Sequence, residues 1–146
     1  MAERVALNGG TPLGTEIASL TMPPITRHTL ALYCGASGDH NPIHVDIDFA
    51  KRAGFPDVFA HGMLVMAYLG NLLTHIAPVE RHRSFSTRFQ AITQLGDAIT
   101  CTATLQSIDE QDGVPVATLA LTARNQTGEV KLAGDAVVTL AEGDDR

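Results

Sequence analysis

The sequence predicts an α+β domain in which a curved antiparallel sheet wraps around one central apolar helix. Two observations carry this prediction. Residues 61–76 are apolar on almost every side, which is typical of a helix enclosed by the rest of the protein. Over about 84–140, apolar and polar residues repeatedly alternate, as they do in strands. At 146 residues the chain is long enough for one core, so we expect a single domain over 1–146.

The first part of the chain predicts one strand and one helix. Residues 13–22 form a candidate strand, because the two prolines that follow cannot continue the ladder of a sheet. Thr26 is well placed to cap a helix over about 27–36. Gly35 and Gly38 weaken helical structure at its end, so we expect the next residues to form a loop.

Two further helices follow this loop. Asp46 or Asp48 can cap a short helix over 49–53, and Gly54 suits the left-handed residue that commonly ends one. The central apolar helix then covers about 61–76.

The last part of the chain predicts most of the sheet. Its strands cover residues 85–92, 99–106, 116–123 and 130–140. We expect turns at 109–113 and 125–128 and a frayed tail over 142–146. Strands therefore precede and follow one apolar helix along the chain. An antiparallel sheet that curls around such a helix is the hot-dog arrangement.

Composition excludes several classes of protein. Acidic residues outnumber basic ones 16 to 10, which is the wrong sign for a protein attracted to nucleic acid by its overall charge. The most apolar run, 62–73, is shorter than a bilayer span, and residues 1–4 show no apolar signal stretch. We therefore expect a cytoplasmic protein without a membrane partner. Cys34 and Cys101 lie in apolar or alternating segments and are interpreted as small buried hydrophobes.

The chemically richest segment covers 33–63. In it, Asp39 and His44 stand five positions apart on a stretch that Gly38 and Pro42 keep from being regular helix. Both side chains can therefore turn toward one small volume. A carboxylate and an imidazole in contact suit acid–base catalysis, although a structural hydrogen-bonded pair is the commoner use of such residues.

Gly62 lies where the central helix begins. Free amides at a helix start carry partial positive charge and can stabilise a developing oxyanion. Glycine also leaves room for a carbonyl group to reach the backbone, which a Cβ atom would crowd.

The polar neighbours of these residues have two readings each. Asn41 is expected to fix the turn through its side chain, with a catalytic duty as the less favoured alternative. Ser37 either satisfies the backbone of the turn or bonds Asp39 and keeps it ionised. His61 either caps the helix or packs under the loop, with proton donation as the alternative.

A metal site is considered because histidines and aspartates crowd this stretch. The segment that starts at Asp39 lacks the glycine and the final glutamate of a calcium loop, and no cysteine joins the cluster. We predict neither a metal nor a cofactor.

Three short motifs resemble the signature of the MaoC-like, R-specific enoyl-thioester hydratases and dehydratases, a family with the hot-dog fold. They are Ala36-Ser37-Gly38-Asp39, Asn41-Pro42-Ile43-His44 and Ala60-His61-Gly62-Met63. The resemblance extends more loosely to Arg88-Phe89 and Gly96-Asp97, and Gln94 departs from it where relatives often have proline.

The resemblance implies a role for each motif residue. Asp39 and His44 match the catalytic acid and histidine, and Gly62 lies near the amide that polarises the carbonyl group. The remaining motif residues are then expected to contact substrate: Ser37, Asn41, His61 and Met63.

The implied activity is reversible addition of water to trans-2-enoyl thioesters carried by coenzyme A or by an acyl carrier protein. Two alternatives stay open: a non-catalytic partner subunit that shapes the acyl tunnel, and a hot-dog thioesterase. A single hot-dog sheet leaves an edge uncovered, so we expect a homodimer or a dimer of dimers. Five cations near the motif could meet phosphate or remain solvated: Lys51, Arg52, Arg81, Arg83 and Arg88.

Overall fold

Six strands form one antiparallel sheet in the computed structural model, which describes residues 3–141. They are β1 (Glu3–Arg4), β2 (Glu16–Thr21), β3 (His82–Phe89), β4 (Thr100–Gln111), β5 (Val114–Arg124) and β6 (Val130–Thr139). Their order across the sheet is β1-β2-β4-β5-β6-β3, so β3 lies at one edge. The tail that we predict to fray, 142–146, lies outside the described residues.

Three α-helices lie among these strands: α1 (Arg27–Ser37), α2 (Ile47–Arg52) and α3 (Gly62–Ile76). Helix α3 packs on β2, β4, β5 and β6. The predicted α+β hot-dog fold is therefore confirmed, and the predicted central helix differs from α3 by one residue. None of the helices within residues 3–141 has both the length and the apolar character needed to cross a bilayer.

One side of α3 is not enclosed. Its buried residues face the sheet and are Leu64, Val65, Leu69, Leu72, Leu73 and Ile76. Met63 and Ala67 lie on the other side and are exposed. The predicted enclosure of this helix on most sides was wrong for the single chain, because the sheet of one chain covers only one face of the helix.

Side-chain caps fix the ends of the first two helices. The Thr26 hydroxyl accepts the N–H of Thr29 at the start of α1, as predicted. This helix continues through Gly35 to Ser37 and is capped by Gly38, whose φ of 73° is left-handed, so the predicted end at about Ala36 is confirmed to within one residue. Asp46, one of the two predicted caps, starts α2.

The β4–β5 hairpin is longer than predicted. Backbone pairing continues to Gln111 opposite Val114, which places 109–111 in the strand and leaves only Asp112 and Gly113 in the turn. Both turn residues have positive φ, 54° and 77°, as a tight hairpin of this hand requires. The predicted β5–β6 turn is confirmed, with Asn125 Oδ1 accepting backbone N–H groups across it.

Strand β3 approaches β6 very closely at one point. Gly134 in β6 lies opposite Thr87 in β3. A Cβ atom at Gly134 would stand 1.9 Å from the Ser86 carbonyl oxygen, so only glycine fits there.

The buried hydrophobic side chains are aliphatic or cysteine throughout the described residues. This agrees with the small aromatic content of the sequence. Burial raises the pKa of the Cys101 thiol to about 12, as expected for a thiol that acts as a hydrophobe. Cys34 is also buried, and its Sγ lies 3.4 Å from Nε2 of His61.

Candidate active site

Asp39 leaves the end of α1 on a turn held by side chains. Its N–H donates to the Ser37 hydroxyl over 3.1 Å, and that hydroxyl donates to the Tyr33 carbonyl oxygen over 2.7 Å. The Asp39 carboxylate accepts the N–H of Asn41 over 3.2 Å. The Ser37 hydroxyl therefore bonds backbone groups of the turn, which is the first of its two predicted roles. Asp39 itself is exposed.

A short 3-10 turn, Pro42–His44, carries the histidine. Asn41 precedes this turn, and its side-chain oxygen accepts the N–H of Ile43 over 3.1 Å. The predicted role of Asn41 in fixing the turn is confirmed.

A main-chain carbonyl group orients His44. Nδ1 of His44 lies 2.8 Å from the Phe59 carbonyl oxygen. Since a carbonyl oxygen only accepts, Nδ1 carries the hydrogen, and in the neutral ring Nε2 is free to accept a proton. The imidazole ring of His44 and the phenyl ring of Phe59 also meet edge to face, with centroids 5.4 Å apart.

His61 lies directly under His44. Their rings stack with centroids 3.8 Å apart and planes 25° apart. Nε2 of His61 donates to the Asp39 carbonyl oxygen over 3.2 Å, and Cys34 Sγ lies 3.4 Å from the same nitrogen. His61 makes no side-chain cap bond to α3, so of its predicted structural roles packing under the loop is confirmed and capping is wrong.

The environment of His61 disfavours its charged form. The residue is 1% exposed, and its Nδ1 has no hydrogen-bond partner within the described residues. Burial first, and then the neighbouring His44, lower the pKa of His61, against the opposing influence of Asp39. A protonated His61 would also bury an N–H at Nδ1 without an acceptor.

Gly62 is the first residue of α3, so its N–H has no partner within the helix. The ring of Phe89, at the end of the edge strand, lies against it. A Cβ atom at Gly62 would stand 2.8 Å from Cε1 of that ring. Met63 follows Gly62 and is 54% exposed.

A cavity of about 370 Å³ opens beside Gly62. Phe59, Ala60 and Gly62 line one side, and Phe89 with residues 90–93 lines the other. Asp39 and His44 do not line this cavity. Phe59 connects the two regions, because it lines the cavity and its carbonyl oxygen lies 2.8 Å from Nδ1 of His44.

Asp39, His44 and His61 each place one potential ligand atom within 4.8 Å of the others. This proximity brings the predicted acid and the predicted catalytic histidine together with the ring stacked on His44. His40, although close in sequence, does not join this group of described residues.

The sequence contains no local pattern that marks several residues of this region as functional. The acceptor at Phe59 is a main-chain oxygen, which every residue type has, and Phe59 does not belong to any of the three motifs. Phe89 belongs to the strand alternation, and Cys34 looks like an ordinary apolar helix residue. Only the extended resemblance, through Arg88-Phe89, points to Phe89.

This chain is similar to known proteins in both sequence and fold. Residues 10–126 match the family described as "MaoC like domain". The chain is 33% identical over 121 residues to an (R)-specific enoyl-CoA hydratase of Rhodospirillum rubrum, covering 80% of each chain. It is 30% identical over 113 residues to the enzyme of the same name from Aeromonas caviae, covering 76% of this chain and 83% of that one.

The fold is similar to that of the (R)-hydratase from A. caviae involved in PHA biosynthesis. The TM-score is 0.78 at 26% identity, over 92% of this chain and 100% of the other. Together with the sequence match, this shows that the chain belongs to the MaoC-like domain family.

Proposed function

We propose that this protein is a hydro-lyase that adds water reversibly to trans-2-enoyl thioesters and forms R-3-hydroxyacyl thioesters. Its similarity to two R-specific enoyl-CoA hydratases supports this reaction. The observation that carries the proposal is that a carboxylate oxygen of Asp39 and a ring nitrogen of His44 lie within 4.8 Å of each other.

Hydration requires that water oxygen bonds to the β-carbon while the electron pair of the double bond moves toward the carbonyl group. A base must take a proton from the water, and the α-carbon must receive one. Asp39 and the free Nε2 of His44 hold the proton in transit in this proposal. Each acid–base role of this kind contributes about 10²- to 10⁴-fold.

The negative charge that develops on the thioester oxygen needs a donor. We assign this role to the N–H of Gly62, which is free at the start of α3 and borders the cavity. In this arrangement the acyl group occupies the cavity and its reactive end points toward His44. Losing one such donor costs about 3–4 kcal/mol of transition-state stabilisation.

The carrier of the acyl group is coenzyme A or an acyl carrier protein, both of which are anionic. Arg83 and Arg88 are exposed on the edge strand that ends at the cavity, which suits contact with phosphate. Arg81 is less available, because its Nε donates to the Thr139 carbonyl oxygen over 2.8 Å.

We further propose that two copies pair, as a homodimer or a dimer of dimers. Strand β3 is bonded on one side only, and the uncovered side of α3 lies open in the single chain. Three apolar side chains near the cavity are exposed: Met63, Phe89 and Ile92. Sedimentation at micromolar concentration is expected to show a dimer or tetramer, and a monodisperse monomer would contradict this part.

The full chain assayed with crotonyl-, octenoyl- and longer enoyl-CoA tests the reaction. We expect loss of the conjugated enoyl absorbance and a product of R configuration. Binding of enoyl-CoA without turnover would instead identify a partner subunit, and release of free coenzyme A would identify a thioesterase. Either result, or an S product, would overturn the proposal.

A further inference from the structure

Lys131 is a buried cation that the proposed chemistry does not use. It lies in β6 and is 2% exposed. A buried ammonium group is costly unless it is paired and hydrogen-bonded. Its contacts therefore indicate what the fold gains by keeping it there.

The Lys131 ammonium binds the loop that borders the cavity. Nζ donates to the Ile92 carbonyl oxygen over 2.8 Å and pairs with Asp97 Oδ2 over 3.2 Å. It also donates to the carboxylate of Glu129. Glu129 is 55% exposed and Asp97 is buried. Water therefore screens the attraction between Lys131 and Asp97 less than that between Lys131 and Glu129.

Asp97 extends the same network along the loop. Its Oδ2 accepts the N–H of Gln94 over 2.8 Å, and its Oδ1 accepts the side-chain amide of Asn125 over 3.1 Å. The main chain of Lys131 adds a further bond, since its carbonyl oxygen accepts the N–H of Gln90 over 2.8 Å. Residues 90–97 are thus held at several points by one buried cluster.

This loop in turn holds the segment that orients the histidine. The Thr93 carbonyl oxygen accepts the N–H of Ala60 over 2.9 Å, and Gln94 forms an isolated β-bridge with Phe59. The Phe59 carbonyl oxygen is the acceptor for Nδ1 of His44. A continuous series of contacts therefore leads from Lys131, through the loop, to the imidazole.

Lys131 stays charged in this setting. Burial by itself lowers the pKa of Lys131, but the hydrogen bonds and charges of Glu129 and Asp97 outweigh burial and raise it. The Lys131 ammonium group therefore keeps its positive charge in the folded protein near neutral pH.

We propose that Lys131, through its pair with Asp97, is a positioning residue that fixes the ring orientation and tautomer of His44. It acts through main-chain atoms of the cavity loop and of Phe59, and it contacts no reacting atom. The catalytic consequence rests on the proposed function, whereas the effect on the tautomer does not.

The test compares Lys131→Met, which keeps the side-chain stem and removes charge and donors, with Lys131→Arg. Ring ¹⁵N spectra of the substrate-free protein report the tautomer of His44, assigned by difference from His44→Ala. Wild type is expected to show the hydrogen on Nδ1 alone, and Lys131→Met a mixture of tautomers. With crotonyl-CoA, we expect kcat to fall about tenfold to a hundredfold in Lys131→Met while KM changes little.

Val138→Ala is the matched control, because Val138 is buried in the same strand but pairs with His82 and Ala117 of the neighbouring strands, seven positions after Lys131. It is expected to lower the unfolding midpoint and leave the tautomer unchanged. Lys131→Arg, which keeps the charge, is expected to restore most of the Nδ1–H tautomer. An unchanged tautomer in folded Lys131→Met, or an equal mixture in Val138→Ala, would overturn the proposal.

If Lys131→Met does not fold, Asp97→Asn takes its place, because it keeps the shape of the side chain and removes the charge. A wild-type tautomer in that variant would also overturn the proposal. The spectra need no substrate, so a wild-type protein that lacks hydratase activity would refute the proposed function alone.

Discussion

The imidazole rings of His44 and His61 stack face to face, with centroids 3.8 Å apart. Each ring donates one hydrogen to a main-chain carbonyl oxygen, His44 to Phe59 and His61 to Asp39. Main-chain carbonyl groups of two different segments therefore hold the two stacked rings. A positive charge on His44 would disfavour protonation of His61, and this repulsion is the second cause, after burial, of the lowered pKa of His61.

The stability of the protein is expected to depend on pH through His61. Its pKa is lowered in the folded state, so below about 6.5, the ordinary histidine value, the unfolded chain binds more protons than the folded one. The contribution of His61 is therefore full above this value and is lost as pH falls toward the folded pKa. Urea unfolding between pH 7.5 and about 5.5 is expected to show falling stability.

His61→Phe, which keeps a ring in the stack, is expected to weaken this pH dependence. His28→Asn serves as the control, because His28 is exposed on α1. An equally steep dependence in His61→Phe would refute the assignment to His61.

Removing either acid–base group is expected to abolish most hydration. Asp39→Asn and His44→Ala should each lower kcat by about 10²- to 10⁴-fold, because they remove proton transfer. The fold should persist, since both residues lie on a loop and its following turn. Asp48→Asn, an exposed carboxylate nearby, should retain wild-type turnover in the same absorbance assay. Near-wild-type activity in either site variant would end the assignment.

Gly62 and Phe89 are expected to be energetically coupled. The Cβ of Gly62→Ala would meet the Phe89 ring at 2.8 Å, but that ring is 56% exposed and can rotate away. We therefore expect a stability cost at or below the lower end of the roughly 1–3 kcal/mol typical of overpacking, and a clear loss of kcat/KM. Phe89→Ala in the same chain should remove the stability cost. Strictly additive losses in the double variant would contradict the coupling.

Two glycines are expected to respond oppositely to alanine. Gly134→Ala places a Cβ against the Ser86 carbonyl oxygen and should destabilise the protein by about 1–3 kcal/mol or more, because backbone must move. Gly35→Ala lies inside α1 with open space around it and should stabilise by about 0.5–1 kcal/mol. Thermal unfolding of both variants checks this difference in sign, and a stabilised Gly134→Ala would contradict the close approach of β3 and β6.

The local elements were predictable from the sequence because their signals are local. Thr26 and Asp46 cap their helices with their own side chains, and the positive φ of Gly54 follows a short helix as expected. The approach of Asp39 to His44 was also predictable, because both residues lie on one short irregular stretch.

Features that depend on distant contacts were not predictable. The contact of Phe59 with Gln94 joins two segments far apart in sequence, and nothing local reveals it. The open side of α3 was missed because Met63 and Ala67 have the same apolar character as residues that face the sheet. Polar residues 109–111 resemble a loop, although they extend a hairpin into solvent. The catalytic roles, the oligomeric state and the cytoplasmic location stay predictions.

The carbonyl group that holds His44 has a consequence for altering the enzyme. Phe59 lines the cavity, and its main-chain carbonyl group bonds the imidazole of His44. Any L-amino acid that keeps the backbone path at position 59 supplies the same acceptor. Libraries at position 59 can therefore change the lining of the cavity and keep this hydrogen bond to His44, and aromatic replacements also keep the edge-to-face contact between the two rings.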